Sequence, residues 1–204
     1  MYSWLPGCRS SGNRWRRNGG LITKDDLQRY KPVWRQPVNG TYRGYQIYSM
    51  PPPSSGGIVL SEILNTLELF DLSKMELNSS TLIHLWVEIE RQAYADRAQW
   101  LGDPDFVQNP LVRLTSKEYA GSIKQNLSYL KAGCSDSIKI PQINGHESDQ
   151  TTHFSIADRW GNAVSNTFTL NGNYGSRAVA EGTGVLLNNE MDDFSIKPGF
   201  PNSS

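Results

Sequence analysis

The stretch that decides the fold is QTTHFSIADRWGNAVSNTFTLN, residues 150–171. Two parts of it, Thr151–Asp158 and Ala163–Asn171, alternate in character with a period of two, which is typical of β-strands. The odd positions carry small or polar groups, and the even positions carry the larger apolar side chains Phe154, Ile156, Val164, Phe168 and Leu170. The pattern therefore predicts two strands that bury their even-numbered faces.

A hairpin connection is predicted at Trp160–Asn162, where a glycine is available for a left-handed turn. A three-residue connection there sets Thr151 opposite Asn171 and His153 opposite Thr169. Three polar side chains, at positions 151, 169 and 171, then share one face at one end of the hairpin. A register slipped by one residue would scatter them over both faces.

Upstream of this hairpin the apolar spacing predicts helices. Helical periodicity runs through Leu60–Leu67 and through Leu82–Ala93, the second behind a cap at Ser79. A short helix is predicted after Thr23, which precedes two acidic residues, and a weaker one near Ser116–Gln125.

The remaining segments of the chain have other sequence patterns. Tyr42–Met50 is rich in aromatic and β-branched residues and predicts a strand, and Pro51–Gly57 predicts a turn that lacks the phosphate-binding pattern GxxxxGK[ST]. Residues 131–150 are polar and aperiodic, as in a long surface loop. Residues 1–18 carry four arginines and no acid, which predicts a poorly ordered basic tail.

Composition excludes several classes of function. The chain has 204 residues and a formal charge of zero, so it lacks the positive charge that sequence-independent nucleic-acid binding requires. No run reaches the length of a membrane span, and the start shows no signal-peptide layout, which leaves the compartment open. Cys8 and Cys134 are too few for a disulfide framework or a zinc site, oxygen ligands at usable spacing are few, and no metal or cofactor is expected.

Thr151 is the candidate for chemistry in the predicted hairpin. A threonine hydroxyl is a weak nucleophile unless a base lies beside it, and the α-amine of a chain-terminal threonine is one such base. Thr151 lies between the predicted loop and the predicted strand, where cleavage would free its amine without dismantling the sheet. Threonine is also a favoured strand residue, so position alone favours a structural role.

From about residue 19 onward the chain carries a series of distinctive motifs: Met50–Gly57, Tyr94–Arg97, Leu101–Phe106, Gln150–Ser155, Asp158, Gly161–Val164, Thr169–Asn171 and Leu186–Phe194. In this order they resemble the γ-glutamyltransferase (glutathione hydrolase) family around its self-processing site. The resemblance implies an α+β fold, the N-terminal nucleophile (Ntn) hydrolase αββα sandwich, here incomplete. It also implies a precursor that cuts itself between Gln150 and Thr151, so that residues 19–150 correspond to the later part of a large subunit and residues 151–204 to the opening of a small one.

The resemblance also assigns roles in a reaction without cofactors. Thr151 would be the nucleophile, Thr169 the threonine that holds it, and Asn171, Glu190 and Asp193 the groups around the α-amino end of a γ-glutamyl donor such as glutathione. The acceptor would be water, an amino acid or a dipeptide. Without the resemblance, the acidic residues from 190 to 193 are better interpreted as a solvated turn, and the role of Asp192 stays open.

Two hypotheses of different classes follow. In the first, the chain is part of a γ-glutamyl-transferring enzyme, whose carboxylate-binding arginine and oxyanion-hole segments would come from the remainder of the large and small subunits. In the second, it is an inactive remnant or an interaction protein of the same fold. A related acylase specificity, for instance toward glutaryl amides, stays open, and family relatives usually face the periplasm or the cell exterior.

Overall fold

The computed structural model describes residues 21–129, 131–135, 151–180 and 182–194. Within them the chain divides into two compact units. The helical unit comprises residues 35–129 and 131–135; the strand unit comprises 21–34, 151–180 and 182–194. Outside the described residues lie the predicted basic tail and residues 136–150 of the predicted loop, which include Gln150. The division into large- and small-subunit regions stays a prediction.

The predicted helix after Thr23 is present as α1 (Lys24–Arg29). The Thr23 hydroxyl accepts the backbone N–H of Asp26 at 3.1 Å, and the Asp26 carboxylate accepts the backbone N–H of Thr23 at 2.8 Å. This reciprocal capping box satisfies donors that the first turn of a helix otherwise leaves unpaired.

The β-strand predicted over Tyr42–Met50 is a hairpin instead. Strand β1 (Val38–Tyr42) pairs antiparallel with β2 (Tyr45–Ser49). The two residues between them, Arg43 and Gly44, have φ values of 49° and 85°. A two-residue turn with positive φ at both positions usually carries asparagine, aspartate or glycine at the first of them. Arginine at that position gives no such signal, so the sequence predicts a single strand.

The other predicted helices are also present. They are α2 (Gly56–Leu67), α3 (Ser80–Trp100) and α5 (Lys117–Asn126). As predicted, the Ser79 hydroxyl caps α3 by accepting the N–H of Leu82 at 3.3 Å. A single turn, α4 (Leu111–Leu114), and a 3₁₀ turn at Leu72–Lys74 are too short to leave a periodic signal.

The core of the helical unit is built around α2. One cluster joins α2 to α3 through buried Ile63, Leu67, Phe70, Leu85, Ile89 and Ala93. A second joins Ile58 of α2 to Leu101 and Leu114. The approach of α2 to the end of the β-hairpin requires glycine, because a Cβ on Gly57 would lie 2.3 Å from the carbonyl oxygen of Met50. Every neighbouring element thus packs on one central helix.

A carboxyl group is buried on that central helix. Glu62 is 1% exposed, and neither of its carboxyl oxygens has a hydrogen-bond partner within the described residues. Nearby, Asp96 accepts hydrogen bonds from the Tyr119 hydroxyl at 2.7 Å and from the Gln92 amide at 3.0 Å. Burial, and secondly the charge of Asp96, raise the pKa of Glu62 to about 9, against a smaller opposing effect of Arg113. The Glu62 side chain is therefore neutral at pH 7.

The strand unit is made of two antiparallel pairs. Strand β3 (Thr151–Ala157) pairs with β4 (Ala163–Thr169), and β5 (Val179–Ala180) with β6 (Val185–Leu186). A 3₁₀ turn, Glu190–Asp193, follows. No helix in the described part of the chain is long and apolar enough to cross a bilayer.

The predicted register of β3 and β4 is wrong by two residues. Thr151 pairs with Thr169, not Asn171, and the connection is Asp158–Asn162. The cause is the Asp158 side chain, whose oxygens accept the N–H groups of Trp160 at 2.9 Å and Asn162 at 3.0 Å and the Asn162 amide at 2.8 Å. These bonds end β3 earlier than predicted. Because the slip is an even number, each side chain keeps its predicted face.

The predicted burial of the even-numbered face is also wrong for the described residues. Phe154, Ile156, Val164 and Phe168 are 42–59% exposed. The alternation that predicted burial is real, but nothing described in the strand unit covers that face. A face of this kind is typical of a surface that packs against another part of a protein.

The buried Glu62 gives a testable dependence of stability on pH. Because the pKa of Glu62 is raised in the folded state, the contribution of its neutral carboxyl group to stability is complete below pH 4.5, the ordinary pKa. This contribution to the free energy of unfolding is lost as the pH rises toward 9. We expect the free energy of unfolding of Glu62→Gln, measured with urea, to increase relative to that of wild type by about 3 kcal/mol between pH 4 and pH 7. The exposed Glu76→Gln is the matched control. An equal difference at both pH values would contradict the burial of an unpaired carboxyl.

Candidate active site

The first two predicted site residues, Thr151 and Thr169, lie directly opposite each other at the open end of the β3–β4 hairpin. Directly opposed residues on antiparallel strands have Cβ atoms about 4.5–5.5 Å apart and side chains on the same face. Thr151 is exposed and Thr169 is half-buried. The corrected register therefore brings the two hydroxyl groups closer together than the predicted one.

Asn171 follows directly after this pair and is fixed to it. Its backbone N–H donates to the Thr169 hydroxyl oxygen at 2.9 Å, and its side-chain amide donates to the carbonyl of Asn189 at 3.2 Å. Asn171 is 8% exposed and has a φ of 67°. Asparagine is one of the few residues that tolerate this left-handed conformation, so the turn holds a polar side chain inward at little conformational cost.

The acidic candidates Glu190 and Asp193 lie together in the 3₁₀ turn. The backbone N–H of Glu190 donates to the Asn188 side chain at 3.1 Å, which starts the turn. Burial, and secondly the negative charge of Asp193, raise the pKa of Glu190. A carboxyl group whose ionisation is disfavoured by burial and by a neighbouring negative charge is a site that a cation stabilises.

Asn189 joins the Asn171 turn to this acidic turn, and it is not among the site residues predicted from the sequence. Its side-chain oxygen accepts the N–H of Gly172 at 2.9 Å, and its own N–H donates to the carbonyl of Leu170 at 3.2 Å. Asn171, Glu190 and Asp193 are therefore held in one bonded segment. The available signal was the Asn188–Asn189 pair before the acidic run, since asparagine side chains commonly bond to backbone at the start of a turn.

His153 lies on the same face as Thr151 but is occupied by other hydroxyls. Its Nδ1 is 2.7 Å from the Thr167 hydroxyl, and its Nε2 is 3.2 Å from that of Ser165 and 3.3 Å from that of Ser155. These bonds make a polar ladder along the hairpin. They hold the ring in place with both of its nitrogens already hydrogen-bonded.

Among the described residues, no group of three or more histidine, cysteine, aspartate or glutamate side chains is placed to hold an ion. The chemistry that the site residues themselves provide is a threonine hydroxyl, a second hydroxyl opposite it, an amide and a pair of carboxyl groups.

The family model described as gamma-glutamyltranspeptidase matches residues 13–204. The chain belongs to the γ-glutamyltranspeptidase family. The glutathione hydrolase proenzyme of Escherichia coli (strain K12) is 54% identical over 186 residues, which is 91% of this chain and 32% of that protein. The acylase ACY 1 proenzyme of Pseudomonas sp. (strain V22) is 40% identical over 182 residues, 89% of this chain and 32% of that protein.

Solved structures of the family agree on the fold. Helicobacter pylori γ-glutamyltranspeptidase is 45% identical and superposes with a TM-score of 0.61 over 68% of this chain and 40% of that one. Cephalosporin acylase from Bacillus halodurans is 25% identical, with a TM-score of 0.77 over 97% of this chain and 34% of that one. The chain thus has part of the α+β Ntn-hydrolase fold, as predicted. It spans about a third of the length of the curated relatives that it matches.

Proposed function

We propose that this chain is the self-processing region of a γ-glutamyltransferase, or glutathione hydrolase, in which the Thr151 hydroxyl is the reacting group. The observation that carries the proposal is the pairing of exposed Thr151 with Thr169 at the end of a hairpin, in a chain of this family. A second hydroxyl directly across the strand orients the first, and the exposed position leaves room for an acyl group.

The first reaction is on the chain itself. The Thr151 hydroxyl oxygen attacks the carbonyl carbon of Gln150, an ester forms, and the Gln150–Thr151 amide bond breaks. The proton of the hydroxyl passes to the departing nitrogen, which becomes the free α-amine of Thr151. Water then hydrolyses the ester, which leaves a carboxylate at Gln150 and restores the hydroxyl of Thr151.

The second reaction uses the same oxygen on a donor. The new α-amine of Thr151 accepts the hydroxyl proton as the oxygen attacks the γ-carbonyl of glutathione or a similar amide. The amine of the leaving group takes up that proton, and a γ-glutamyl ester remains on Thr151. Transfer of the acyl group to water, an amino acid or a dipeptide completes the cycle.

The bonded segment around Asn171 supplies recognition. A γ-glutamyl donor carries an α-ammonium group, and a desolvated ammonium is stable only beside carboxylates and hydrogen-bond acceptors. Glu190 and Asp193 provide the carboxylates. Burial, and secondly the charge of Asp193, raise the pKa of Glu190, and a bound cation would offset the repulsion between the two carboxyl groups.

An acylase is the second candidate function, favoured by the 40% identity to acylase ACY 1 proenzyme. An acylase acting on glutaryl amides would use the same nucleophile on a donor without the α-ammonium. The two candidates therefore differ in whether the carboxyl groups of Glu190 and Asp193 contribute to turnover.

The exposed apolar face of β3 and β4 indicates contact with another part of the enzyme. In a whole enzyme the rest of the large and small subunits would cover this face, since the described residues of the strand unit leave it open. In this proposal the enzyme works in the periplasm or at the cell exterior, and nucleic acid has no part in its function.

Self-cleavage tests the proposal directly. Protein expressed from the complete reading frame is expected to yield two pieces by intact mass, the second starting at Thr151. Thr151→Ala should stay uncut, because it lacks the attacking oxygen, and Thr151→Ser should be cut more slowly. Cleavage of the alanine variant at the same bond would show that another group does the chemistry.

A matched pair of donors separates the two candidate functions. γ-Glutamyl and glutaryl amides of one chromogenic amine differ only in the α-ammonium. Asp193→Asn is expected to lower kcat/KM for the γ-glutamyl amide by about 10- to 100-fold, the effect of losing one charge-assisted hydrogen bond. Turnover of the glutaryl amide should change less than about threefold. Equal losses on both donors would argue against a role for Asp193 at the ammonium.

A further inference from the structure

Both polar ends of the Asn189 side chain are hydrogen-bonded, each to a different turn. The oxygen accepts the N–H of Gly172 at 2.9 Å, and the amide nitrogen donates to the carboxylate of Asp192 at 3.0 Å. Asn189 is half-buried between these two partners. One side chain therefore links the turn after β4 to the acidic 3₁₀ turn.

The backbone of Asn189 strengthens the same link. Its N–H donates to the carbonyl of Leu170 at 3.2 Å, and its carbonyl accepts both the Asn171 side-chain amide and the N–H of Asp192, each at 3.2 Å. Asn189 thus takes part in five hydrogen bonds. Their partners are all within two residues of a proposed recognition residue: Asn171, Glu190 or Asp193.

We propose that Asn189 is a positioning residue that fixes Asn171 and the Glu190–Asp193 turn in the arrangement needed to hold the α-ammonium of a donor. This inference rests on the function proposed above. It also assigns a role to Asp192, whose carboxylate is used to anchor Asn189. In this arrangement Asp192 is distinct from Glu190 and Asp193, which remain the residues that meet the donor.

The chemistry of the two ends requires an asparagine. Aspartate would keep an acceptor for Gly172 but would place a second carboxylate against Asp192. Alanine would leave the N–H of Gly172 and the carboxylate of Asp192 without their partner. The contact is also close, because a Cβ on Gly172 would lie 3.3 Å from the Asn189 side-chain oxygen.

The test uses the complete reading frame and the γ-glutamyl and glutaryl amides of one amine. We expect Asn189→Ala to cut itself at Gln150–Thr151, because the β3–β4 pairing is set by the Asp158 turn. We expect its KM for the γ-glutamyl amide to rise at least tenfold with a smaller fall in kcat, and its KM for the glutaryl amide to stay within about threefold of wild type. The matched control is Asn173→Ala, an exposed position in the turn after β4. Its KM values for both amides should equal those of wild type.

A near-isosteric variant keeps the test decisive if the alanine variant does not fold. Asn189→Asp should fold and show a γ-glutamyl KM defect that is larger at pH 8 than at pH 5.5, because at low pH the new carboxyl and Asp192 share a proton and restore the lost donor. Glu190 and Asp193, in the same turn, are present in both proteins, so the variant is compared with wild type at each pH.

The outcomes separate the inference from the proposed function. Unchanged KM values, equal KM increases on both donors, or loss of soluble protein in Asn189→Asp would overturn the positioning role while leaving the function standing. Wild-type protein that neither cuts itself nor turns over either amide would overturn the proposed function, and the inference with it.

Discussion

The pairing of Thr151 with Thr169 is the constraint on which the rest of the site depends. It is fixed at the far end of the hairpin, where the Asp158 carboxylate accepts two backbone N–H groups and the Asn162 amide. The Asn162 bonds are the main cause of the lowered pKa of Asp158. A slip of one residue would turn one threonine to the opposite face, so the turn chemistry decides whether the two hydroxyls meet.

From this pair the site is built outward through hydrogen bonds between side chains and backbone. Thr169 holds Asn171, Asn171 and Gly172 bond to Asn189, and Asn189 begins the turn that carries the carboxyl groups. Polar turns of this kind are fixed in position without a core of their own. That explains how a strand pair with an exposed apolar face can still keep its site residues together.

The sequence predicted the larger elements because periodicity and caps are local signals. Ser79, Ser116 and Thr23 mark helix starts, and the two-residue alternation marks β3 and β4. The missed features depend on side-chain contacts that no period records: the Asp158 turn that sets the register, the Arg43–Gly44 turn, and the bonds of Asn189. Exposure of Phe154 and its neighbours was missed for another reason, since alternation shows which face is apolar but not what covers it.

The roles of the candidate site residues follow from the resemblance, because position alone favours a structural role for Thr151 and a solvated turn for Glu190 and Asp193. The structure adds the direct pairing of Thr151 with Thr169 and the bonded segment from Asn171 to Asp193. A threonine at the start of an exposed strand end is unremarkable by itself. Its place opposite a second threonine, in a member of this family, is what supports the proposal that it is the nucleophile.

The most direct test of the central claim is to trap the acyl group. Protein from the complete reading frame would be mixed with a γ-glutamyl amide, quenched in acid within the first turnover, digested and sequenced by mass spectrometry. The account predicts one added γ-glutamyl group, attached to the peptide that starts at Thr151 and located on that residue. An acyl group on Ser155, Ser165 or Thr169, with Thr151 unmodified, would contradict it.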